Sequence, residues 1–373
     1  MDRTRRRLLA LAASLPLATL VAPGPVRGQA AASLPRFLSA RGDGAGNYRV
    51  SGLDESGRLS FDLPLPGRGH GIALHPDGRH AVCLARRPGD FLLVLDLIDG
   101  EAVALHHTPD DRHCFGHAVF ASAGDLLYTT ENAIDSGEGR IGVWDVASGY
   151  RRLGELPSHG IDPHELLLAP DGETLIVANG GILTRPETGR TKLNLDAMQP
   201  SLAYLDRRDG RLLAEHRPPA GLHQLSIRHL ALGRDGTVCV ALQYEGPAAE
   251  RPPLVAFQRR GGALELMDAP APVQAAMRNY CGSAAADPSG GWFAVSAPRG
   301  NLVTFWGSDG HFQGSTQVTD GCGVAPGDAP GTFFISSGTG TLHRHDCMTG
   351  ATARLPGPPN EGIAWDNHLT LWA

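Results

Sequence analysis

His70-Gly-Ile-Ala-Leu-His-Pro-Asp-Gly78 is the first of six related segments that decide how this chain of 373 residues folds. Each segment is a short, mostly apolar run that closes at a glycine-containing turn, and a second apolar run follows it. This order predicts a strand, a tight turn and a second strand. The other five segments are His117-Ala-Val-Phe-Ala-Ser-Ala-Gly124, His164-Glu-Leu-Leu-Leu-Ala-Pro-Asp-Gly172, His229-Leu-Ala-Leu-Gly-Arg-Asp-Gly236, Cys281-Gly-Ser-Ala-Ala-Ala-Asp-Pro-Ser-Gly290 and Cys322-Gly-Val-Ala-Pro-Gly327.

The spacing of these segments predicts a β-propeller. Their leading residues are 47, 47, 65, 52 and 41 positions apart, and a propeller blade has about 40–50 residues. Glycine (48) and proline (28) are abundant and helix-period segments are hard to find, which favours an all-β fold. Residues 36–66 resemble a blade that lacks its first strand, and residues 360–366 resemble that missing strand. We therefore predict a seven-bladed β-propeller closed by strands from both termini.

The N-terminal region has the features of an export signal. Thr4-Arg-Arg-Arg-Leu-Leu9 provides a basic patch, an apolar stretch runs to Val21, and small residues follow. The apolar stretch is too short to span a bilayer comfortably, and the arginine pattern indicates the twin-arginine pathway. We predict a signal over residues 1–31 and a single propeller domain over residues 32–373, located in the periplasm without a membrane span.

Charge and cysteine content narrow the possible functions. The formal net charge is −6, with both signs interspersed and no basic stripe, which argues against nucleic-acid binding. Two of the six cysteines, Cys281 and Cys322, precede a glycine at the start of consecutive blades. We expect either a disulfide between them or a reduced pair that joins a metal site, and an oxidising compartment favours the disulfide.

Four of the six segments begin with a histidine, and these histidines are the candidate metal ligands. In a propeller the first strand of each blade lines the central channel, so its start and the end of the antiparallel second strand emerge on one face. Imidazoles from separate blades would converge there, and imidazole suits Zn, Cu, Fe and Ni ions. The four residues are His70, His117, His164 and His229.

The same face is predicted to hold further polar groups. The candidate binding residues are Arg86, Arg87, Glu131, Asn132, Asn179, Gln243 and Glu361. His343, His345 and His368 have weaker claims as ligands, since the first two fall in a third strand. In the alternative interpretation, each histidine only bonds to neighbouring backbone at a blade junction. Convergence of all four also requires a β-bulge or a different turn length, because two histidines lie one residue nearer their turn glycine than the others.

Several motifs at this face carry a family resemblance. They are Arg68-Gly-His-Gly71, Ala85-Arg-Arg-Pro-Gly89, Gly116-His117, Tyr128-Thr-Thr-Glu-Asn132, Pro163-His-Glu-Leu166, Ala178-Asn-Gly-Gly-Ile182, Arg228-His-Leu230 and Trp365-Asp-Asn-His-Leu369. Through them, most of the mature chain resembles a bacterial family named domain of unknown function 1513. The resemblance implies an exported seven-bladed propeller of the WD40/YVTN and quinoprotein-like grouping, often encoded beside imelysin-type and di-haem proteins suspected in iron uptake.

Three functional hypotheses follow. The first is a periplasmic propeller that binds a transition metal (Fe, Cu or Zn), or a metal-bearing ligand, at its channel mouth for iron uptake or other metal handling. Its partners would be imelysin-type or di-haem iron-handling proteins. The second is a lactonase-like or redox enzyme that uses a channel metal, with Glu131 or Glu361 as the base. The third is an interaction platform that needs no ion.

Overall fold

A computed structural model describes residues 33–357 and 362–372 of the chain. The predicted export signal and Glu361 therefore lie outside the described residues. Within the described part, no helix combines the length and apolar character needed to cross a membrane.

The described residues form β-strands joined by turns, with one short α-helix, α1 (Ala271–Ala276). The first strands in chain order are β1 (Phe37–Gly42), β2 (Tyr48–Leu53), β3 (Leu59–Leu65), β4 (Gly69–Leu74), β5 (His80–Ala85), β6 (Phe91–Asp96), β7 (Glu101–His107), β8 (Arg112–Phe120), β9 (Leu126–Ala133), β10 (Gly139–Asp145) and β11 (Arg151–Pro157). They are followed by β12 (Pro163–Leu168), β13 (Thr174–Asn179), β14 (Ser201–Asp206), β15 (Leu212–His216), β16 (Leu225–Leu232), β17 (Val238–Tyr244), β18 (Val255–Gln258), β19 (Leu264–Met267), β20 (Ser283–Ala286) and β21 (Trp292–Ala297). The last strands are β22 (Leu302–Gly307), β23 (Phe312–Gln317), β24 (Gly321–Pro326), β25 (Thr332–Ser337), β26 (Leu342–Asp346), β27 (Ala351–Arg354), β28 (Ala364–Trp365) and β29 (Thr370–Leu371). Short 3-10 turns cover Pro186–Thr188, Leu195–Ala197, Ala220–Leu222 and Pro298–Gly300.

These strands assemble into seven antiparallel sheets, which are the blades of a β-propeller. Six sheets take four consecutive strands each, beginning with β4, β8, β12, β16, β20 and β24. In each of them the first strand is the inner strand, and it contacts the inner strand of the next blade around the ring. The seven-bladed all-β prediction is confirmed.

The seventh sheet combines strands from both ends of the described chain, and we call it the composite blade. Its order is β28-β1-β2-β3, and β29 also pairs with β1. The inner strand of this blade is thus split, with residues 366–369 lying between its two halves. Within the described part of the predicted first strand over 360–366, β28 covers Ala364–Trp365, and the inner edge continues in β29 beyond the predicted range.

Aspartate-glycine turns explain why the inner and second strands pair as hairpins. Between β12 and β13, the Asp171 carboxylate accepts hydrogen bonds from the backbone N–H groups of Glu173 and Thr174 at 2.8 and 2.9 Å. Gly172 follows with φ +69°, a conformation that glycine adopts without strain. The turn of this segment, which helped to reveal the repeat, therefore closes the hairpin between β12 and β13.

The core lies between neighbouring blades and is densest at the middle strands. Every residue of β6 is buried, whereas every residue of the outermost strand β27 is exposed. Trp306 is the largest of the fully buried side chains among the described residues. Burial on both faces requires the continuous apolar runs seen in the second and third strands. This packing holds the inner strands in place around the axis.

A core substitution in the composite blade measures how much its packing contributes to stability. Leu38 of β1 is fully buried, so we expect Leu38→Ala to lower the free energy of unfolding by about 2–5 kcal/mol. Leu59 of β3 is 38% exposed, and Leu59→Ala is the matched control, expected to change it by less than about 0.5 kcal/mol. Chemical denaturation followed by circular dichroism makes the comparison. Equal effects of the two substitutions would contradict the packing described for this blade.

Candidate metal centre

Local distortions of the inner strands aim the histidines at the axis. In four inner strands the pairing register shifts at the histidine: between Gly69 and Ile72, Cys114 and Ala118, Pro163 and Glu165, and Ile227 and His229. A β-bulge bends its strand and re-aims a side chain that regular alternation would turn away. From the sequence, the histidines could converge only if a β-bulge or a different turn length changed the strand register. A register shift is present at the histidine in each of the four blades.

The four predicted histidines lie together, and His368 of the composite blade joins them. We call these five residues the histidine cluster. Ring centroids are 5.0 Å apart for His70 and His117, 4.7 Å for His164 and His229, and 4.5 Å for His117 and His368. Two groups of three, which share His117, have ligand atoms within 4.8 Å of one another. Each group could hold a metal ion. The groups are His70, His117, His368 and His117, His164, His229.

Two buried carboxylates orient the rings. Asp366 Oδ1 lies 2.5 Å from His70 Nδ1, which leaves His70 Nε2 at 3.3 Å from His368 Nε2. Glu165 Oε2 lies 3.1 Å from His229 Nδ1, and Glu165 Oε1 lies 3.6 Å from His117 Nδ1. With Nδ1 held by a carboxylate, the Nε2 atom of each ring is directed into the cluster. Carboxylates occupy this position behind the histidine ligands of metal sites.

Burial keeps the imidazoles in the form that binds metals. It lowers the pKa of His70 to about 4 and that of His229 to about 3, and it holds the pKa of His117, His164 and His368 well below the usual histidine value. A neutral imidazole offers a nitrogen lone pair, whereas an imidazolium has none. The cluster is therefore uncharged at neutral pH.

Glycines allow the rings to approach so closely. A Cβ atom at Gly116, where φ is +108°, would come within 2.6–3.0 Å of the His70 ring and its Cβ. A Cβ at Gly71 would lie 2.7 Å from the carbonyl oxygen of Gly116 and 3.1 Å from His117 Nδ1. Contacts shorter than 3.0 Å are too close for a Cβ atom, so glycine at 71 and at 116, each next to a histidine of the cluster in the chain, is a packing requirement of the cluster.

One cavity borders the cluster, and a second lies on the other side of Asp366 among the arginines that contact this carboxylate. The channel further along the inner strands has a volume of about 330 Å³ and is reached by His117, Glu165 and His368. A larger cavity of about 550 Å³ lies where the inner strands begin, and we call it the basic cavity because its lining includes five arginines. These are Arg68, Arg86, Arg87, Arg185 and Arg190.

Comparison with known proteins identifies the family but assigns no activity. Residues 63–372 match the family model described as "Protein of unknown function (DUF1513)". The chain belongs to this family. No curated protein matches the sequence. Among solved structures, Kuenenia stuttgartiensis hydrazine synthase is similar with a TM-score of 0.58 and 14% identity, over 86% of this chain and 96% of that chain. At this identity the likeness concerns the propeller fold alone.

Two other predicted binding residues of this DUF1513 chain face the basic cavity. Arg86 Nη1 lies 3.7 Å from Asp366 Oδ2, and the Arg87 guanidinium donates to the Thr184 hydroxyl. Asp366 in turn contacts His70, so Arg86 is one residue removed from the histidine cluster. The insertion after β13 supplies Thr184 to the wall of this cavity.

The predicted amide residues are held by hydrogen bonds to the backbone. Asn179 Nδ2 donates to the Ser158 carbonyl oxygen at 2.9 Å, and Gln243 Nε2 donates to the Cys281 carbonyl oxygen at 2.8 Å. Asn132 Nδ2 donates to the carbonyl oxygen of its neighbour, residue 133, at 3.3 Å. All three are buried at the ends of second strands, where Asn179 and Gln243 connect neighbouring blades.

Glu131 is bound within its own blade. Its carboxylate accepts two hydrogen bonds from Arg152, both 2.8 Å, and a third from the Thr129 hydroxyl at 2.6 Å. Arg152 is on the outermost strand β11, so this fully buried carboxylate points outward through the sheet. The structure thus gives Glu131 a place in blade packing, away from the histidines.

Sequence reasoning gave too little weight to His368 and did not select Asp366 or assign Glu165 its place behind the imidazoles. His368 and Asp366 lie in the interruption of the split inner strand, where no turn glycine marks the register. The motif Trp365-Asp-Asn-His-Leu369 was the available signal. Glu165 directly follows His164 in the chain, and the bulge there lets consecutive side chains both serve the cluster.

The cysteine prediction is not supported. All six cysteines, which lie among the described residues, are free thiols. Cys281 Sγ lies 3.6 Å from the Leu254 carbonyl oxygen, and Cys322 Sγ lies 3.3 Å from the Asp366 carbonyl oxygen. Burial raises the pKa of both thiols to about 12, and neither cysteine belongs to a group of converging ligand atoms among the described residues.

The ion pair of Glu131 with Arg152 predicts a stability effect without a binding effect. We expect Arg152→Met to lower the free energy of unfolding by about 3–5 kcal/mol, because it leaves a buried carboxylate unpaired. The double variant Glu131→Gln/Arg152→Met should regain a large part of that loss, since no charge is left unpaired. Denaturant titration measures both. Full stability of Arg152→Met would show that the pair does not carry this role.

Proposed function

We propose that this protein is an exported propeller that binds a transition-metal ion at the histidine cluster. One observation carries the proposal: His117 Nε2, His164 Nδ1 and His229 Nε2 are buried and have no hydrogen-bond partner among the described residues. These three rings are one of the two groups whose ligand atoms converge within 4.8 Å.

Unpartnered polar atoms in a protein interior are rare because burying one without a hydrogen bond costs about 1–3 kcal/mol. Here three unpartnered nitrogen atoms lie together, and each belongs to a histidine, a residue type that binds metals. The ligand that would complete such a site is a Lewis acid. An ion bound by the three nitrogens would compensate for all three atoms at once. A purely structural role, with each imidazole bonded to backbone at its own blade junction, accounts for none of them.

The chemistry of the imidazole ligands restricts the proposed ion to the borderline transition metals. Imidazole nitrogen suits Fe, Cu and Zn, whereas Mg²⁺ and Ca²⁺ prefer oxygen ligands. The 3.3 Å between His70 Nε2 and His368 Nε2 is close to the separation of about 3.3 Å between two nitrogens bound to one tetrahedral ion at about 2.0–2.1 Å. The second group of three histidines is therefore also compatible with a ligand role.

Glu165 and Asp366 support this interpretation as positioning residues. Each accepts from the Nδ1 side of an imidazole and so leaves the other nitrogen free for an ion. Asp366 also brings negative charge close to a site that would receive a cation, because the neighbouring His70 and Arg86 lower the pKa of its carboxyl group. In metalloproteins, loss of such a partner weakens metal binding by about 10–100-fold.

Binding, rather than catalysis, is the better supported role. A general base must come within hydrogen-bond reach of the substrate. Glu131, one of the two bases considered from the sequence, is instead saturated by Arg152 and Thr129. We place this metal binding in the periplasm on the basis of the twin-arginine pattern at residues 1–31. The genomic association of the family suggests iron uptake, with imelysin-type or di-haem proteins as partners.

Metal content tests the proposal directly. Protein purified without an affinity tag should contain a transition metal at close to one ion per chain by mass spectrometry, and His117→Ala/His164→Ala should lose it. The matched control is His80→Ala/His107→Ala, which removes two imidazoles outside the cluster and should retain the ion. A metal-free wild-type protein that also fails to bind added Fe, Cu or Zn would refute the proposal.

Glu165→Gln tests the positioning role. We expect metal affinity, measured by competition with a chelator, to fall by about 10–100-fold, because the amide keeps only one of the two oxygens that contact His229 and His117 and so orients the rings less well. The fold should persist, since glutamine retains the shape and can still accept from the Leu230 backbone N–H. Glu173→Gln, on an exposed turn, is the control. Unchanged affinity in Glu165→Gln would exclude Glu165 from the site.

A further inference from the structure

The basic cavity carries positive charge that the surrounding residues do not neutralise. Five arginines line it, and Asp90 is the one acidic residue in its lining. Asp90 lies 3.1 Å from His107 Nδ1 and is 54% exposed, so solvent screens its charge. Asp366 lies beneath the cavity and contacts both Arg68 and Arg86. Its single negative charge therefore balances at most one of the two.

The remaining three arginines make no ion pair with a carboxylate among the described residues. Arg87 donates to Thr184, and Arg185 donates to the backbone carbonyl oxygens of Ile134 and residue 135 at 3.2 Å each. Arg190 forms no hydrogen bond or ion pair within residues 33–357 and 362–372. These guanidinium groups have donors left for a ligand.

Burial of this charge has a physical cost. Arg86 and Arg87 are largely removed from solvent, and burial lowers the pKa of both. Asp162, the nearest buried carboxylate to Arg87, is already paired with Arg228. Like charges gathered in a partly desolvated space repel each other unless a counter-ion joins them. An anion bound in the basic cavity would be this counter-ion.

We infer that the basic cavity binds a small, multiply charged oxyanion, with carboxylate or phosphate groups held by the guanidinium forks. Arginine presents parallel N–H donors that match both groups in bidentate geometry. The volume of about 550 Å³ is within the range of ligand pockets, about 300–1,000 Å³. This site goes beyond the proposed metal binding and does not require it, because none of the five arginines is a member of the histidine cluster.

Isothermal titration of metal-depleted protein tests the inference with two probes, citrate and inorganic phosphate. Removal of metal ensures that citrate cannot bind by chelating an ion in the cluster. We expect at least one probe to bind, more weakly as salt concentration rises. Tighter binding of citrate would identify a polycarboxylate site, and tighter binding of phosphate a phosphoryl site. Binding of neither probe at millimolar concentration would overturn the inference.

Single-charge variants locate the binding. Arg87→Gln and Arg190→Gln should each weaken the bound probe by about tenfold or more, because each removes a charged hydrogen-bond donor. Arg190 is exposed and makes no bond, so its substitution leaves folding intact. Arg58→Gln removes an exposed arginine elsewhere and should have no effect. Wild-type affinity in Arg87→Gln/Arg190→Gln would place any binding elsewhere and overturn the inference.

The histidine variant separates this site from the metal proposal. We expect His117→Ala/His164→Ala to bind the anionic probe with the affinity of the wild type. Failure of the metal experiment would then leave the anion result standing, and the reverse also holds. Loss of anion binding in this variant would overturn the assignment of an independent site.

Discussion

Convergence of buried imidazoles at the propeller axis is the constraint on which the rest of this structure depends. A ring of blades brings its inner strands close together at the axis, but regular strands would turn consecutive side chains to opposite faces. The bulges at the histidines remove that alternation where it matters. Gly71 and Gly116 then remove the side chains that would block the rings. The polar site is thus built by departures from the regular fold, each of which costs some strand pairing.

Such a site needs a compensating interaction, and the carboxylates provide part of it. Asp366 has His70, Arg68 and Arg86 around it, so its charge is well balanced. Glu165 has no arginine or lysine partner among the described residues, and burial raises its pKa to about 8. The two acids therefore hold their histidines in different electrostatic surroundings. The side of the cluster near Glu165 is also the side with unpartnered nitrogens on His164 and His229, so an ion there would find ligand atoms that no hydrogen bond occupies.

The sequence was sufficient where a repeat was visible and failed where the repeat was broken. Spacing and glycine-containing turns predicted the blades, and the shared strand position predicted the convergence of His70 and its three counterparts. The inner and second strands of the composite blade come from opposite ends of the described chain and share no turn, and the split inner strand left His368 and Asp366 without a recognisable register. Glu131 shows a second limit of prediction from the sequence. A position at a strand end indicates a face of the propeller, but the direction of the side chain depended on Arg152, two strands away. Nothing in the local pattern around Glu131 reveals that contact.

The arrangement of charge also relates the two proposed sites to each other. Asp366 stands between them, since one of its oxygens contacts His70 and the other contacts Arg68 and Arg86. A cation in the histidine cluster would attract the negative charge of the Asp366 carboxylate towards His70. Less of that charge would then neutralise Arg68 and Arg86. An anion in the basic cavity would contact those arginines and neutralise their charge in place of Asp366. Because each ligand improves the electrostatic environment of the other, binding at the two sites would be mutually favourable, and thermodynamic linkage makes such coupling equal in both directions. The sharing of a single buried aspartate is therefore a physical reason for a cation site and an anion site to occur side by side in this propeller.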